Sequence, residues 1–257
     1  MAVPVVQNPP PWLNLLMTYL KLPDMAWEIL RRSRVKRMWI TLILVFAFFI
    51  LCLSQSRADW GGMHVNWLDG LTRLLCKVLH RHPGLVLPLP EQGPAIVAAN
   101  HVSGLDPLLL IAASRRPLRF LIASEEYHRP VLHWIFKAAG CIPVDRKRRA
   151  EQALRAARRA LEQGEIIALF PHGKIHLDTD PPRPIKAGVV RLAIWTKTPI
   201  YPVRLDGIRA QGQVLLAPFV PSHVQIRVGK PLSPLQEIDV LKAQLTSYIE
   251  TLQKHPH

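Results

Sequence analysis

Residues 95–114 read Ala95-Ile96-Val97-Ala98-Ala99-Asn100-His101-Val102-Ser103-Gly104-Leu105-Asp106-Pro107-Leu108-Leu109-Leu110-Ile111-Ala112-Ala113-Ser114. The first five are apolar without alternation, the pattern of a strand buried on both faces, as parallel sheets require. From Pro107 a Leu- and Ala-rich run follows, with Pro at the first helical position and Asp106 where an N-cap would sit. Strand, polar turn and helix in succession form the repeating unit of an α/β sheet. The alternation continues outward. Apolar runs at 85–89, 118–123, 166–170, 200–205, 214–217 and 224–228 predict further strands, and 107–114, 130–138, 149–163 and 187–195 predict helices. The expected fold class is α/β, a mixed central sheet flanked by helices.

The turn itself invites a chemical reading. His101 stands at the end of the strand, and Asp106 follows five residues later across Ser103-Gly104. A carboxylate that accepts from one imidazole nitrogen leaves the other to take a proton from a hydroxyl. The plain alternative is a helix cap beside a histidine with no task. Ser103 suits the turn better than it suits a nucleophile. Further along, His172 and His176 share an i, i+4 spacing with Asp178 beyond, but that spacing holds a metal when it lies on a helix. Here it follows a strand and a Pro-His-Gly turn, so no metal is expected. Cys52, Cys76 and Cys141 are odd in number and scattered, which excludes a disulfide framework and zinc-like spacing.

The chain has 257 residues, 49% of them hydrophobic, enough to bury a substantial core and too apolar for a disordered protein. The formal charge is +15, which raises the question of nucleic acid. No zinc finger, RNP aromatic pattern or basic recognition helix accompanies it, so nucleic acid is not an expected partner. Anionic lipid, a phosphorylated substrate or an acidic carrier protein fits the charge as well.

The uncharged stretch 38–56 would measure about 28 Å as a helix, marginal for a hydrocarbon core. Directly before it stand Arg31, Arg32, Arg34, Lys36 and Arg37, suited to anionic headgroups on a cytoplasmic side. Upstream, residues 12–20 form a second, amphipathic stretch with interfacial aromatics. Residues 1–60 are thus expected to be membrane-docking helices with a basic cluster, and 61–257 the α/β domain. The apolar stretch either spans the membrane or docks in one leaflet.

Three further segments complete a pattern. Gly140-Cys141-Ile142-Pro143-Val144-Asp145-Arg146, then Phe170-Pro171-His172-Gly173-Lys174, then Pro199-Ile200-Tyr201-Pro202-Val203 follow the Asn100-His101-x4-Asp106 segment in order. Together they resemble the four blocks of the glycerolipid acyltransferase family, most closely the bacterial lysophosphatidic acid acyltransferase type. Lys186-Ala187-Gly188 resembles the opening of the helix before the fourth block. The resemblance covers residues 95–203, and it implies acyl transfer from acyl-CoA or acyl carrier protein to the hydroxyl of a lysoglycerolipid, without a cofactor. In its terms His101 is the general base, Asp106 orients and stabilises it, and Arg146 pairs with the acceptor's phosphate. No covalent enzyme intermediate is implied.

The third block departs from the family's Phe-Pro-Glu-Gly-Thr-Arg. His172 replaces the acid, Gly173 is kept, and the basic residue moves forward to Lys174. These three are expected to bind substrate, and the missing Glu leaves the choice of lysolipid open. A catalytically silent lipid-binding relative is the alternative. Because acyl thioesters are cytosolic, the resemblance places the site on the cytoplasmic face, in bacteria that of the inner membrane, which favours docking in one leaflet over crossing.

Overall fold

The computed structural model describes residues 24–130, 132–145, 150–181 and 183–251, with side chains from residue 34 onward except those of 150 and 251. The amphipathic stretch at 12–20, the side chains of Arg31 and Arg32, and the basic run 146–149 that includes Arg146 lie outside the described residues.

Two compact units divide after Phe49. The first carries most of helix α1 (Asp24–Gln55). Its stretch Arg34–Gln55 is 22 residues long and apolar enough to cross a membrane by length and composition, about 33 Å of helix. The added length over the uncharged stretch comes from the turn that carries Arg34, Lys36 and Arg37. Met38, Trp39, Ile40, Leu42, Ile43 and Leu44 are all exposed, so no single polar face runs along this segment.

In the second unit, α2 (Met63–Leu79) precedes β1 (Ala95–Ala99), α3 (Asp106–Ala113), β2 (Leu118–Ala123), α4 (Ser124–Tyr127), α5 (His133–Ala138) and β3 (Ile142–Val144). Then come α6 (Ala150–Glu162), β4 (Ile166–Leu169), α7 (Gly188–Thr196), β5 (Ile200–Asp206), β6 (Gln225–Val228) and α8 (Ile238–Thr251). The sheet order is β3-β2-β4-β1-β5-β6. The first five strands run parallel and β6 pairs antiparallel with β5, so the sheet is mixed, as expected.

β1 is central, with Val97 opposite Ala168 on one side and Tyr201 on the other. Its Ala95, Val97 and Ala99 join one core cluster with α3, and Ile96 and Ala98 join the other with α6, α7 and α8. Both faces are covered, which is why the strand carries no polar alternation. A buried pair ties α2 to this layer. Arg73 bonds Asp69 at 2.8 Å and caps the carbonyls of Ala112 (2.7 Å) and Ser114 (2.5 Å) at the end of α3.

Two expected strands are absent. Residues 85–89 are irregular, because Pro88 and Pro90 lack ladder donors and the Leu87 amide bonds Ala113 O instead, at 2.8 Å. Residues 214–217 form a surface loop that enters a 3-10 turn, Ala217–Phe219. β5 pairs with β1 on one side and with β6 on the other, so that run does not extend the sheet beside β5. Helices α2, α4 and α8 and strand β3 are elements the sequence pattern did not single out.

Candidate active site

Because β1, β4 and β5 are parallel, the segments that follow them emerge at one edge of the sheet, where ligands of open α/β sheets bind. Asn100 secures this edge. Its Nδ2 donates to Leu205 O (2.9 Å) and its Oδ1 accepts from Leu205 N (2.7 Å), so the side chain continues the β1–β5 pairing past the end of the strand. Each such buried bond contributes about 1 kcal/mol net.

The next residue is His101. Its Nδ1 lies 2.8 Å from Asp106 Oδ2. Asp106 is fully buried, while the His101 side chain is 19% exposed. The carboxylate is held from several sides: Oδ2 also accepts from the amides of Val102 (2.6 Å) and Ser103 (2.9 Å), and Oδ1 accepts from Ser103 Oγ (2.9 Å). Asp106 is therefore not an N-cap. It is the first helical residue, Leu105 holds the cap position, and the carboxylate turns back toward the residues before the helix. Three donors on Oδ2 fix the imidazole with Nδ1–H toward the carboxylate. The described contacts leave Nε2 unengaged, and only a neutral Nε2 can accept a proton.

Phe170 fixes the plane of the ring. The two rings stack at 4.1 Å with 14° between planes. Phe170 directly follows β4, so the β1–β4 register brings the first and third blocks together. The His176 amide adds a bond to His101 O at 2.8 Å. Phe170 and the His176 backbone are contributors the sequence pattern did not reveal, because they meet His101 only through sheet pairing.

The third block is placed as follows. His172 is 4% exposed, and its Nε2 has no hydrogen-bond partner. The carboxylate of Glu250 on α8 stands 3.8 Å from it, and the ring of His176 lies 4.6 Å away. Burial lowers the His172 pKa below its ordinary value, and the neighbouring His176 and Arg183 push the same way. The Asp178 and His176 side chains do not close a metal site: Asp178 is taken by Arg204 (2.5 Å), and His176 Nδ1 faces Asp180 at 3.5 Å. Among the described residues no group of three or more metal-binding side chains assembles.

Gly173 sits at φ +74°, a left-handed conformation that a side chain adopts only with strain, and a Cβ there would stand 2.6 Å from Lys186 Nζ. Lys186 therefore lies over the third block, a cation the sequence had assigned only to a helix opening. Lys174 is exposed and lines an open depression of about 520 Å³ with Asp180 and Arg183. That depression lies beside the third block and does not include His101.

Cys141 is 8% exposed, and burial raises its thiol to about 11. A protonated, enclosed thiol is a poor nucleophile. Ser103 spends its hydroxyl on Asp106 and accepts from the Leu105 amide (3.1 Å), which is a turn residue's work.

Gly104 completes the turn. Its amide bonds Gln213 O at 3.0 Å, and a Cβ there would stand 1.9 Å from Val214 O. The loop after β5 is thus pressed against the turn that holds His101 and Asp106.

Comparison with known proteins gives the family. The family model described as Acyltransferase matches residues 87–206, from the approach to β1 through β5. A "Probable 1-acyl-sn-glycerol-3-phosphate acyltransferase" of Mycoplasma genitalium is 37% identical over 188 residues, 65% of this chain and 69% of that protein. An "N-acylphosphatidylethanolamine synthase" of Arabidopsis thaliana is 27% identical, over 67% of this chain and 66% of that protein. Among solved structures, the 1-acyl-sn-glycerophosphate (LPA) acyltransferase PlsC of Thermotoga maritima superposes with a TM-score of 0.59. It shares 19% identity and covers 87% of this chain and 99% of its own, a likeness of fold. Identity of this extent with the Mycoplasma protein, over a segment that contains the whole His101–Asp106 turn, shows that the chain belongs to the acyltransferase family and is an acyltransferase.

Proposed function

We propose that this enzyme transfers a fatty acyl group from acyl-CoA or acyl carrier protein to the free hydroxyl of lysophosphatidate, giving phosphatidate. The observation that carries the reading is the 2.8 Å bond between His101 Nδ1 and a fully buried Asp106, with Nε2 left unengaged. The acceptor oxygen attacks the thioester carbonyl while Nε2 takes its proton. The tetrahedral oxyanion collapses, the C–S bond breaks, and the imidazolium returns the proton to the leaving thiolate. Asp106 stabilises the transient imidazolium. A positioned base of this kind contributes on the order of 10²–10⁴-fold, and holding the two substrates in register supplies much of the rest.

The acceptor's phosphate is assigned to Lys174 and the Gly173 backbone, with Lys186 beside them and Arg146 as the second-block partner. A guanidinium or ammonium there recognises phosphate by charge-assisted bonds. Residues 1–60 anchor the enzyme to the membrane. Soluble acyl donors reach only the cytoplasmic face, so one-leaflet docking with the catalytic domain on that face is the topology we assign, in bacteria at the inner membrane.

A second acceptor is favoured by one observation, the buried His172 whose Nε2 has no hydrogen-bond partner, where the family carries Glu. The test gives the detergent-solubilised protein a matrix of acyl donors and lyso-acceptors and analyses products by mass. Lysophosphatidate is the expected acceptor, and His101→Ala is expected to abolish transfer while leaving the fold intact. Undiminished transfer by that variant would remove the general base.

A further inference from the structure

Residues 210–226 contain no Lys, Arg, Asp or Glu, and the structure sets the middle of this run on the surface. Leu215, Leu216 and Phe219 are 64%, 57% and 68% exposed, and Val214 is 42% exposed. One exposed leucine requires no explanation, but a cluster of large apolar side chains marks a contact surface. The loop's backbone is well held. Gly212 N donates to Val102 O (2.7 Å), Gly104 N donates to Gln213 O (3.0 Å), and His80 Nε2 lies 2.9 Å from Pro218 O. The missing Cβ of Gly104 lets Val214 pack directly on the turn. The apolar tip and the turn carrying His101 and Asp106 are thus backbone-bonded neighbours.

The tip is flanked by cations. Arg209 and Arg81 are both exposed. The Arg209 amide bonds Ser222 Oγ (3.2 Å), and His80, next to Arg81, accepts from Val224 N (3.2 Å). Neither 70–90 nor 207–236 contains an acidic residue. An apolar tip with basic shoulders and no acid matches the headgroup–acyl boundary of an anionic leaflet. An acidic carrier protein would be matched by the shoulders but not by the leucines and Phe219.

We propose that the 214–219 loop is a membrane-inserting tip that seats the His101 turn at the headgroup level of an anionic leaflet, so that an acceptor lipid reaches the base without leaving the bilayer. The proposal rests on the assigned lysolipid reaction and names a membrane contact beyond residues 1–60.

The experiment uses the full chain in vesicles of phosphatidylcholine with phosphatidylglycerol. Phe219→Cys carries a nitroxide; the native Cys52, Cys76 and Cys141 are buried. Gln163→Cys, exposed just before β4 and so at the opposite edge of the sheet, is the control. Expected is a label at 219 that collides with oxygen in preference to a water-soluble nickel chelate, and a label at 163 that does the reverse. Nickel accessibility at 219 equal to that at 163 overturns the proposal. So does shielding of 219 that appears without vesicles as protein concentration rises, which assigns the tip to a second copy. Shielding only on addition of acyl carrier protein overturns it in favour of the donor. In a second arm, the combined Leu215→Ser, Leu216→Ser, Phe219→Ser variant is expected to lose roughly ten-fold in rate on vesicle-borne acceptor while keeping its rate on a monomeric short-chain acceptor. An equal loss on both acceptors overturns the proposal. If the unsubstituted enzyme acylates no lysolipid, the assigned reaction fails while the label at 219 still reports insertion.

Discussion

Replacing Asp106 by Asn and, separately, by Ala parts the two tasks of this carboxylate. It accepts from His101 Nδ1, from the amides of Val102 and Ser103, and from Ser103 Oγ. Three of these donors meet Oδ2, so in Asp106→Asn the amide oxygen must take that place and the NH2 must face Ser103 Oγ, which can turn to accept. The bonds survive, weakened from charge-assisted to neutral, at a cost of roughly 1–3 kcal/mol in all. What disappears is the negative charge opposite the imidazolium. At about 4 Å between charge centres and an effective dielectric near 20, that interaction is about 4 kcal/mol. Solvent at the exposed fifth of the ring trims it to between half and all of that figure, so kcat should fall roughly 30- to 1000-fold.

Asp106→Ala behaves differently, because it strands the Val102 and Ser103 amides in residues that are 2% and 0% exposed. About 1–3 kcal/mol for each stranded amide is a large share of a typical folding free energy. Initial rates by product mass, read beside thermal unfolding in detergent, distinguish the two. An Asn variant with near-native kcat and an unshifted melting temperature would refute the electrostatic role given to this carboxylate.

Three further outcomes follow from other parts of the molecule. Arg73→Met leaves Asp69 and the carbonyls of Ala112 and Ser114 without their buried cation, so the urea midpoint should drop by the equivalent of about 3–5 kcal/mol. Burial pushes the thiols of Cys76 and Cys141 to about 12 and about 11. At pH 8 their thiolate fractions are then on the order of 10⁻⁴ and 10⁻³, and a disulfide reagent should modify them quickly only after unfolding. The lowered pKa of His172 means that the unfolded chain binds its proton more readily than the folded one. Its stabilising share is present above the ordinary value of 6.5 and is lost as pH falls from there toward the folded value. His172→Asn should make the acid limb of a stability–pH curve shallower, with a residual slope from His82, whose pKa is lowered by burial as well.

The central strands were legible because burial on both faces leaves an uninterrupted apolar run, and 95–99 has no competing pattern. The same criterion misread 214–217, where Val214, Leu215 and Leu216 lie exposed in a loop, and 85–89, where two prolines deny the ladder its donors. The three-residue β3, Ile142-Pro143-Val144, is too short for any periodicity to declare. At the site, the sequence marked His101 and Asp106 as a pair without fixing their contact, since i and i+5 share no helical face. Closure comes from two backbone amides pointing at Oδ2, a matter of turn geometry. Phe170 and the backbone of His176 reach His101 through strand pairing across some seventy residues of chain, a separation at which local pattern carries no information.

Arg204, 2% exposed at the heart of β5, donates to Asp178 after the third block, to Asp206, and to the carbonyl of Ile249 in α8 (2.6 Å). That last partner is synthesised forty-five residues after the arginine. While Ile249 is still inside the ribosome, the nascent sheet lacks both this acceptor and the share of cover that Leu241 and Leu245 add to that of α6 and α7 over its second face. Until α8 has emerged, Arg204 holds a donor without this carbonyl, and the emerging chain leaves the α8 part of that face open to whatever chaperone or membrane lies nearest.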